Sequence, residues 1–189
     1  MELSVGNIQR SKIEDQGIEG EDLFQGWLQM YDAPFLRVDN DLETYTLLFQ
    51  GKLKRPDFLL LIAGMGLLAV DVKNYKRAKK SNGFFLNFEN ELIYSVEFEH
   101  AFKMFLWYAI RDKDSNDKDQ WYFISAYDAL DNGKVIERAN GTHYYDIAEE
   151  HFTLVSNANE IPGLLKERRG ITGLLTQMLE KAVISTKLK

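Results

Sequence analysis

Apolar and polar positions fall into blocks along this 189-residue chain, and the period of each block predicts an element. Between Ile18 and Tyr31, the residues Phe24, Trp27, Leu28 and Tyr31 recur at i, i+3, i+4 and i+7, one face of a helix directed at a core. Pro34 closes that helical stretch, and Phe35 to Asp39 and Thr44 to Gln50 read as strand pieces around an Asn40-Asp41 turn. Next comes Arg55 to Lys76, RPDFLLLIAGMGLLAVDVKNYK, two apolar runs joined by a turn bearing Gly64 and Gly66. Runs of that length, rich in branched residues and punctuated by glycine, predict two buried strands of a hairpin rather than one helix. After a Ser81-Asn82-Gly83 turn, Phe84 to Phe88 is a short strand, and Phe98, Ala101, Phe102, Phe105, Leu106 and Ala109 predict a helix over Val96 to Ile110. A polar loop, Arg111 to Gln120, leads into a strand from Trp121 to Tyr127. Asp131-Asn132-Gly133 and Asn140-Gly141 bracket Lys134 to Ala139 as a small meander, and Phe152 to Ser156 is one more strand. From Ile161 the pattern is helical, with Ile171, Leu174, Leu175, Met178, Leu179 and Ala182 on a stripe that serves either the core or a dimer contact.

The hairpin places charges as well as apolar groups. Facing residues of an antiparallel pair have a constant sum of positions, and a turn centred between Gly64 and Met65 sets that sum near 129, within a residue either way. Asp57 therefore faces a position between Asp71 and Lys73, and those two, being two apart on one strand, project from the same face. Two carboxylates and an ammonium converge on one patch beside Leu, Ile and Val, where a charge must be paired or hydrated. A structural Asp-Lys ion pair is the simplest account of an Asp-x-Lys alone. A second carboxylate brings in another chemistry: two close anions repel, and a divalent cation held by hard oxygen ligands relieves them.

Pro56-Asp57, thirteen intervening residues and then Asp71-Val72-Lys73 resembles the signature of the PD-(D/E)-x-K nuclease superfamily, whose restriction-endonuclease-like fold includes restriction enzymes and Holliday junction resolvases. The resemblance covers about residues 13–127 and implies an α/β fold with an αβββαβ core: a mixed central sheet flanked by helices, here with additional C-terminal strands and a helix. The expectation is one nuclease-like domain over residues 1–189, with a C-terminal elaboration over about 128–189. The resemblance also implies a Mg2+ or Mn2+ cofactor held by Asp57, Asp71 and the Val72 carbonyl, with Lys73 positioning water and stabilising charge on a phosphate. Glu21, on the rim of the first helix's buried face, is carried over as an assisting acid and metal ligand. Its structural alternative is a charge favouring a helix N-terminus, and Glu14 competes if the helix starts earlier.

The net charge of −6 argues against a nucleic-acid enzyme until its distribution is considered. Between Gly51 and Lys80 stand eight basic residues (Lys52, Lys54, Arg55, Lys73, Lys76, Arg77, Lys79, Lys80) against Asp57 and Asp71, a local balance of +6 that leaves −12 for the rest. A basic surface beside a metal site suits a phosphate backbone, which makes Arg55, Lys76, Arg77 and Lys79 the candidate DNA contacts; the alternative for Lys76 to Lys80 is a solvated turn. RNA stays open as a substrate. The chain has no cysteine, hence no disulfide, thiolate metal site or cysteine nucleophile. His143 and His151 lack the i, i+4 spacing of a helical zinc pair. The polar Met1 to Lys12 stretch lacks a signal's apolar core and the Phe58 to Val70 run is too short to span a bilayer, so the expected setting is cytoplasmic, with no membrane partner.

The function expected is metal-dependent hydrolysis of DNA phosphodiester bonds. The alternatives are a nuclease-like fold kept as a nucleic-acid-binding or assembly module without catalysis, and an acidic protein that binds a basic partner. One small domain cuts one strand at a time, so double-strand cleavage would call for a homodimer.

Overall fold

The computed structural model describes residues 5–38 and 53–167, so the predicted strand Thr44 to Gln50, the acids Asp39, Asp41 and Glu43, and the stripe Ile171 to Ala182 lie outside the described residues. The chain divides into two compact units, Met1–Asn159 and Glu160–Lys189. In the second, helix α4 spans Ile161–Glu167. Everything that follows concerns the first.

Helix α1 runs Val5–Met30, longer than the predicted Ile18 to Tyr31. Gly17 does not stop it, because one glycine inside a helix costs only about 1 kcal/mol and Gln9, Arg10, Lys12 and Glu14 are good helix formers. After it come β1 (Phe35–Arg37), β2 (Phe58–Ile62) and β3 (Gly66–Tyr75). The β2–β3 turn is made by Gly64 at φ 77° and Gly66 at φ 104°, left-handed angles that glycine adopts without strain, and it is closed by the Met65 N–H donating to the Ile62 carbonyl at 2.9 Å.

Strand β4 (Phe84–Asn87) leads through a π-helical turn (Phe88–Leu92) into α2 (Ile93–Phe102), and then into β5 (Leu106–Asp112) and β6 (Trp121–Ser125). The predicted helix over Val96 to Ile110 is thus two elements. Lys103 ends α2 in a left-handed conformation at φ 54°, and Leu106 to Arg111 form a strand buried along its length. Its apolar run satisfies a helical count, yet it lies between two strands, where burial on both faces favours continuous apolar sequence. The strand predicted to Tyr127 stops at Ser125, whose hydroxyl caps helix α3 (Ala126–Asn132) by accepting from the Asp128 N–H. The meander is present as β7 (Lys134–Glu137) and β8 (His143–Ile147), and β9 (Thr153–Val155) is the last strand.

The main sheet has the order β1-β2-β3-β5-β6-β9, antiparallel except where β3 and β5 run parallel; β4, β8 and β7 form a second, three-stranded sheet. Phe24, Trp27, Phe58, Trp121 and Phe123 pack ring against ring on one face of the main sheet, under α1. Leu86, Leu92, Phe98, Leu106, Tyr108, Ile110, Ile124 and Ile147 fill the other, under α2 and the small sheet. Helix, three strands, helix and strands around a mixed sheet is the αβββαβ core expected above, with β9 and the small sheet as additions.

Candidate active site

Register decides what the hairpin brings together. Phe58 pairs with Val70 and Ile62 with Gly66, a sum one below the centre expected and inside its range, so Asp57 lies opposite Asp71. Both neighbouring strands hold the Asp57 backbone: its N–H donates to the Val70 carbonyl and its carbonyl accepts from the Val38 N–H, each at 2.9 Å. Its Oδ2 accepts the Val72 N–H at 2.7 Å. Asp71 lies in the middle of β3, paired with Tyr108 of β5, and is fully buried. Along β3, Val72 and Asn74 point toward α1, where Gly20 lies against them, while Asp71 and Lys73 point to the opposite side.

Two ammonium groups meet Asp71, Lys73 Nζ at 2.5 Å from Oδ2 and Lys54 Nζ at 2.9 Å from Oδ1. Both are close charged contacts to a carboxylate that no water reaches. Lys73 also lies 3.6 Å from Glu91 Oε1. That carboxylate is itself fixed, accepting the Tyr75 hydroxyl at 2.9 Å and the Asn87 N–H at 2.8 Å, while the Asn87 side chain caps the same turn by accepting from the Asn90 N–H.

The electrostatics follow from burial and these neighbours. Burial, and then the charge on Asp71, push the Asp57 carboxyl up to about 7, against the pull of Lys73 and Lys54. For Asp71 burial acts upward as well, but Lys54 and Lys73 outweigh it and hold the group below its ordinary value. Burial works against charge on Lys73, yet Asp71 and then Glu91 keep it protonated, well above the ordinary lysine value. At neutral pH the site holds an ionised Asp71, an ammonium on Lys73 and an Asp57 near its midpoint. The pair titrates as unlike partners although both are aspartates.

A carboxylate opposite a carboxylate on adjacent strands, with a lysine two residues along the second, is the arrangement the motif resemblance calls for. The element order and the mixed six-stranded sheet are those the resemblance implies. No known protein family matches the chain and no curated protein matches its sequence. Among solved structures it is similar to Hjc of Archaeoglobus fulgidus, a Holliday junction resolvase from an archaeal hyperthermophile, with TM-score 0.44 and 18% identity over 72% of this chain and 91% of that one.

The other expected site residues have mixed surroundings. Glu21 is on α1, paired with Arg37 of β1 at 3.0 Å; Arg37 also takes Asp22 at 2.7 Å. Its charge adds a small upward push to the Asp57 carboxyl. Arg55 is half-buried just before Pro56, and Lys79 is exposed. Lys76 pairs on the surface with Asp114 at 3.0 Å. Arg77 is locked into the protein by Asp112 at 2.8 Å, Glu149 at 2.9 Å, the Asn82 carbonyl and the Tyr122 hydroxyl, and its guanidinium lies over the Tyr122 ring. It clasps the end of β3 to β5 and β6.

Reasoning from sequence missed Lys54 as a partner of Asp71, Glu91 as a partner of Lys73, and Arg37. Glu91 carried no signal in the sequence: it lies between the predicted strand Phe84 to Phe88 and the predicted helix from Val96, and its spacing of four from Asn87 is one longer than that of a capping box.

Asp57 and Asp71 offer hard oxygen donors in a buried setting, suited to a divalent cation. No three His, Cys, Asp or Glu side chains among the described residues are gathered so as to cage a metal by themselves.

Proposed function

We propose that the protein is a Mg2+-dependent endonuclease that hydrolyses DNA phosphodiester bonds. The observation that carries the reading is the register placing Asp57 opposite Asp71 while Lys73, on the same strand, touches Asp71. Asp57, Asp71 and the Val72 carbonyl would hold the cation, with Mn2+ as a substitute. When bound, it supplies Lewis-acid polarisation of a phosphate and lowers the pKa of water.

The remaining steps belong to the chain. Lys73 stays protonated and is held between Asp71 and Glu91, so its donors are fixed where a water attacking phosphorus, or the oxygen on which charge grows, can accept them. Donors fixed beforehand stabilise charge without reorganising as the reaction proceeds. Asp57, with a pKa of about 7, gives up its proton readily as positive charge arrives, so binding of the cation releases a proton near neutrality. Glu21, steadied by Arg37, adds negative charge behind Asp57. Arg55, Lys76 and Lys79 are proposed to meet the phosphate backbone, positioning the duplex without reading its sequence. Arg77 is engaged internally and is the weakest of the four candidates.

The test is cleavage of linear duplex, single strand, branched junction and RNA with Mg2+ or Mn2+, comparing wild type with Asp71→Asn and Lys73→Ala. Wild type is expected to cut at least one DNA form, and both variants to fall by about a thousandfold. A folded wild type inert on every substrate would remove the reading and leave the binding-module alternative, which predicts retained nucleic-acid binding without cleavage.

A further inference from the structure

The two lysines on Asp71 are not equivalent. Lys73 belongs to β3, is the more buried of the two, and has a second anion in Glu91, which Tyr75 and Asn87 hold in place. Lys54 lies outside any strand, ahead of β2, and its side chain is 22% exposed. Its backbone is nevertheless anchored, the N–H donating to the Tyr94 carbonyl at 3.0 Å. Its Cα is therefore fixed while the long side chain can swing between Asp71 and solvent.

We propose that Lys54 is the site's built-in counter-ion: its ammonium neutralises Asp71 in the metal-free protein, leaves Asp71 when a divalent cation binds, and then faces the phosphate backbone of the nucleic acid. The inference rests on the metal-site reading above. The charge count supports it. Three carboxylates, Asp57, Asp71 and Glu91, face two ammonium groups, a deficit of one charge without a metal. A divalent cation added with both lysines in place would bring a surplus of one positive charge into a buried site, where like charges repel strongly. With Lys54 withdrawn the three carboxylates balance Lys73 and the cation, and Lys54 is left to a substrate phosphate. Lys73 cannot be the one that moves without leaving Glu91 as well.

The experiment uses the full chain and Mn2+. Lys54→Gln and Lys54→Met are expected to bind Mn2+ at least about tenfold more tightly than wild type by titration calorimetry, because the competing charge is gone. In wild type, mass-spectrometric footprinting with an amine-acylating reagent is expected to label Lys54 at least about fivefold faster once Mn2+ is saturating, with Lys73 still protected. This arm needs no variant to fold. With Ca2+ present, the salt dependence of binding to a duplex oligonucleotide is expected to lose about one charge in Lys54→Gln, and to be unchanged by the substitution in EDTA. Wild type that binds Mn2+ while Lys54 labelling stays constant, or a folded variant that binds Mn2+ no better than wild type, overturns the proposal and leaves the metal-site reading standing. Folded wild type that binds no Mn2+ sinks the metal-site reading, and the proposal with it.

Discussion

Asp57→Asn tests the electrostatic account of the site directly, and it predicts a stabilised protein. The variant keeps a side-chain oxygen to accept the Val72 N–H but cannot ionise. In the folded wild type the Asp57 carboxyl titrates at about 7 against an ordinary 3.8, with burial and then Asp71 as causes. A raised carboxyl pKa means the folded state holds its proton more tightly than the unfolded chain does. The resulting stability is complete below about pH 4, drains away as pH rises, and is gone once pH has passed about 7. The full separation corresponds to about 4 kcal/mol at 1.36 kcal/mol per pH unit, and because Asp71 shares the interaction, about 2–4 kcal/mol is the range assigned to Asp57. In EDTA at pH 8, Asp57→Asn is therefore expected to exceed wild type by that amount in urea unfolding, or by several degrees in Tm. At pH 5 the margin should shrink to about a third, since most of the drain lies above that pH. Saturating Mg2+ should raise wild type and leave the variant almost unmoved. A margin equal at pH 5 and pH 8, or a variant less stable than wild type at pH 8, would refute the assignment of a raised carboxyl pKa to Asp57.

Four further measurements follow from particular contacts. Glu91→Gln removes the charge holding Lys73 from the side away from Asp71, and is expected to lower kcat about tenfold with KM little changed; an unaltered kcat would release Glu91 from any part in positioning. Gly20→Ala would bring a Cβ within 3.0 Å of the Asn74 Cβ where α1 meets β3, so despite better helix propensity it is expected to destabilise by about 1 kcal/mol in urea unfolding. Gly17→Ala, with open space at its Cβ, should stabilise by up to about 1 kcal/mol in the same assay, and the two substitutions moving together would refute that reading of α1 packing. Arg77→Met should lower stability by about 1–3 kcal/mol through loss of Asp112 and Glu149, while the salt dependence of DNA binding stays that of wild type; a lost charge in that dependence would return Arg77 to the phosphate contacts.

The parts of the fold legible in the sequence were those with short-range causes. The hairpin announced itself through branched apolar runs and two glycines whose positive φ the turn requires, and its register came within one position of the expected centre. The meander was legible through its glycines too, Gly141 at φ 78° in the turn and Gly133, extended, where a Cβ would strike Tyr145. The boundary between α2 and β5 was not. The left-handed residue ending α2 is Lys103, without the usual glycine, and Phe105, Leu106 and Ala109 satisfy a helical period while forming part of the approach to a central strand. Only the neighbours β3 and β6 settle that run as a strand.

The same division separates the legible half of the site from the rest. Asp57, Asp71 and Lys73 lie within one hairpin, so local geometry alone brings them together. Lys54 and Glu91 reach the site through tertiary contacts, the one tied to α2 at Tyr94, the other set on a π-helical turn after the small sheet's first strand. Their arrival changes the meaning of the local charge excess. Of the basic residues counted around the motif, Lys54 and Lys73 are paired with Asp71, Arg77 with Asp112 and Glu149, and Lys76 with Asp114. The positive field offered to a phosphate is thus weaker than the composition implies, because exposed pairs such as Lys76 and Asp114 largely cancel at a distance. On the proposed exchange at Asp71, a divalent cation entering the site would raise that field by adding its own charge and returning Lys54 to the surface. Metal binding and nucleic-acid binding would then be coupled through one carboxylate, and by linkage each would tighten the other to the same extent.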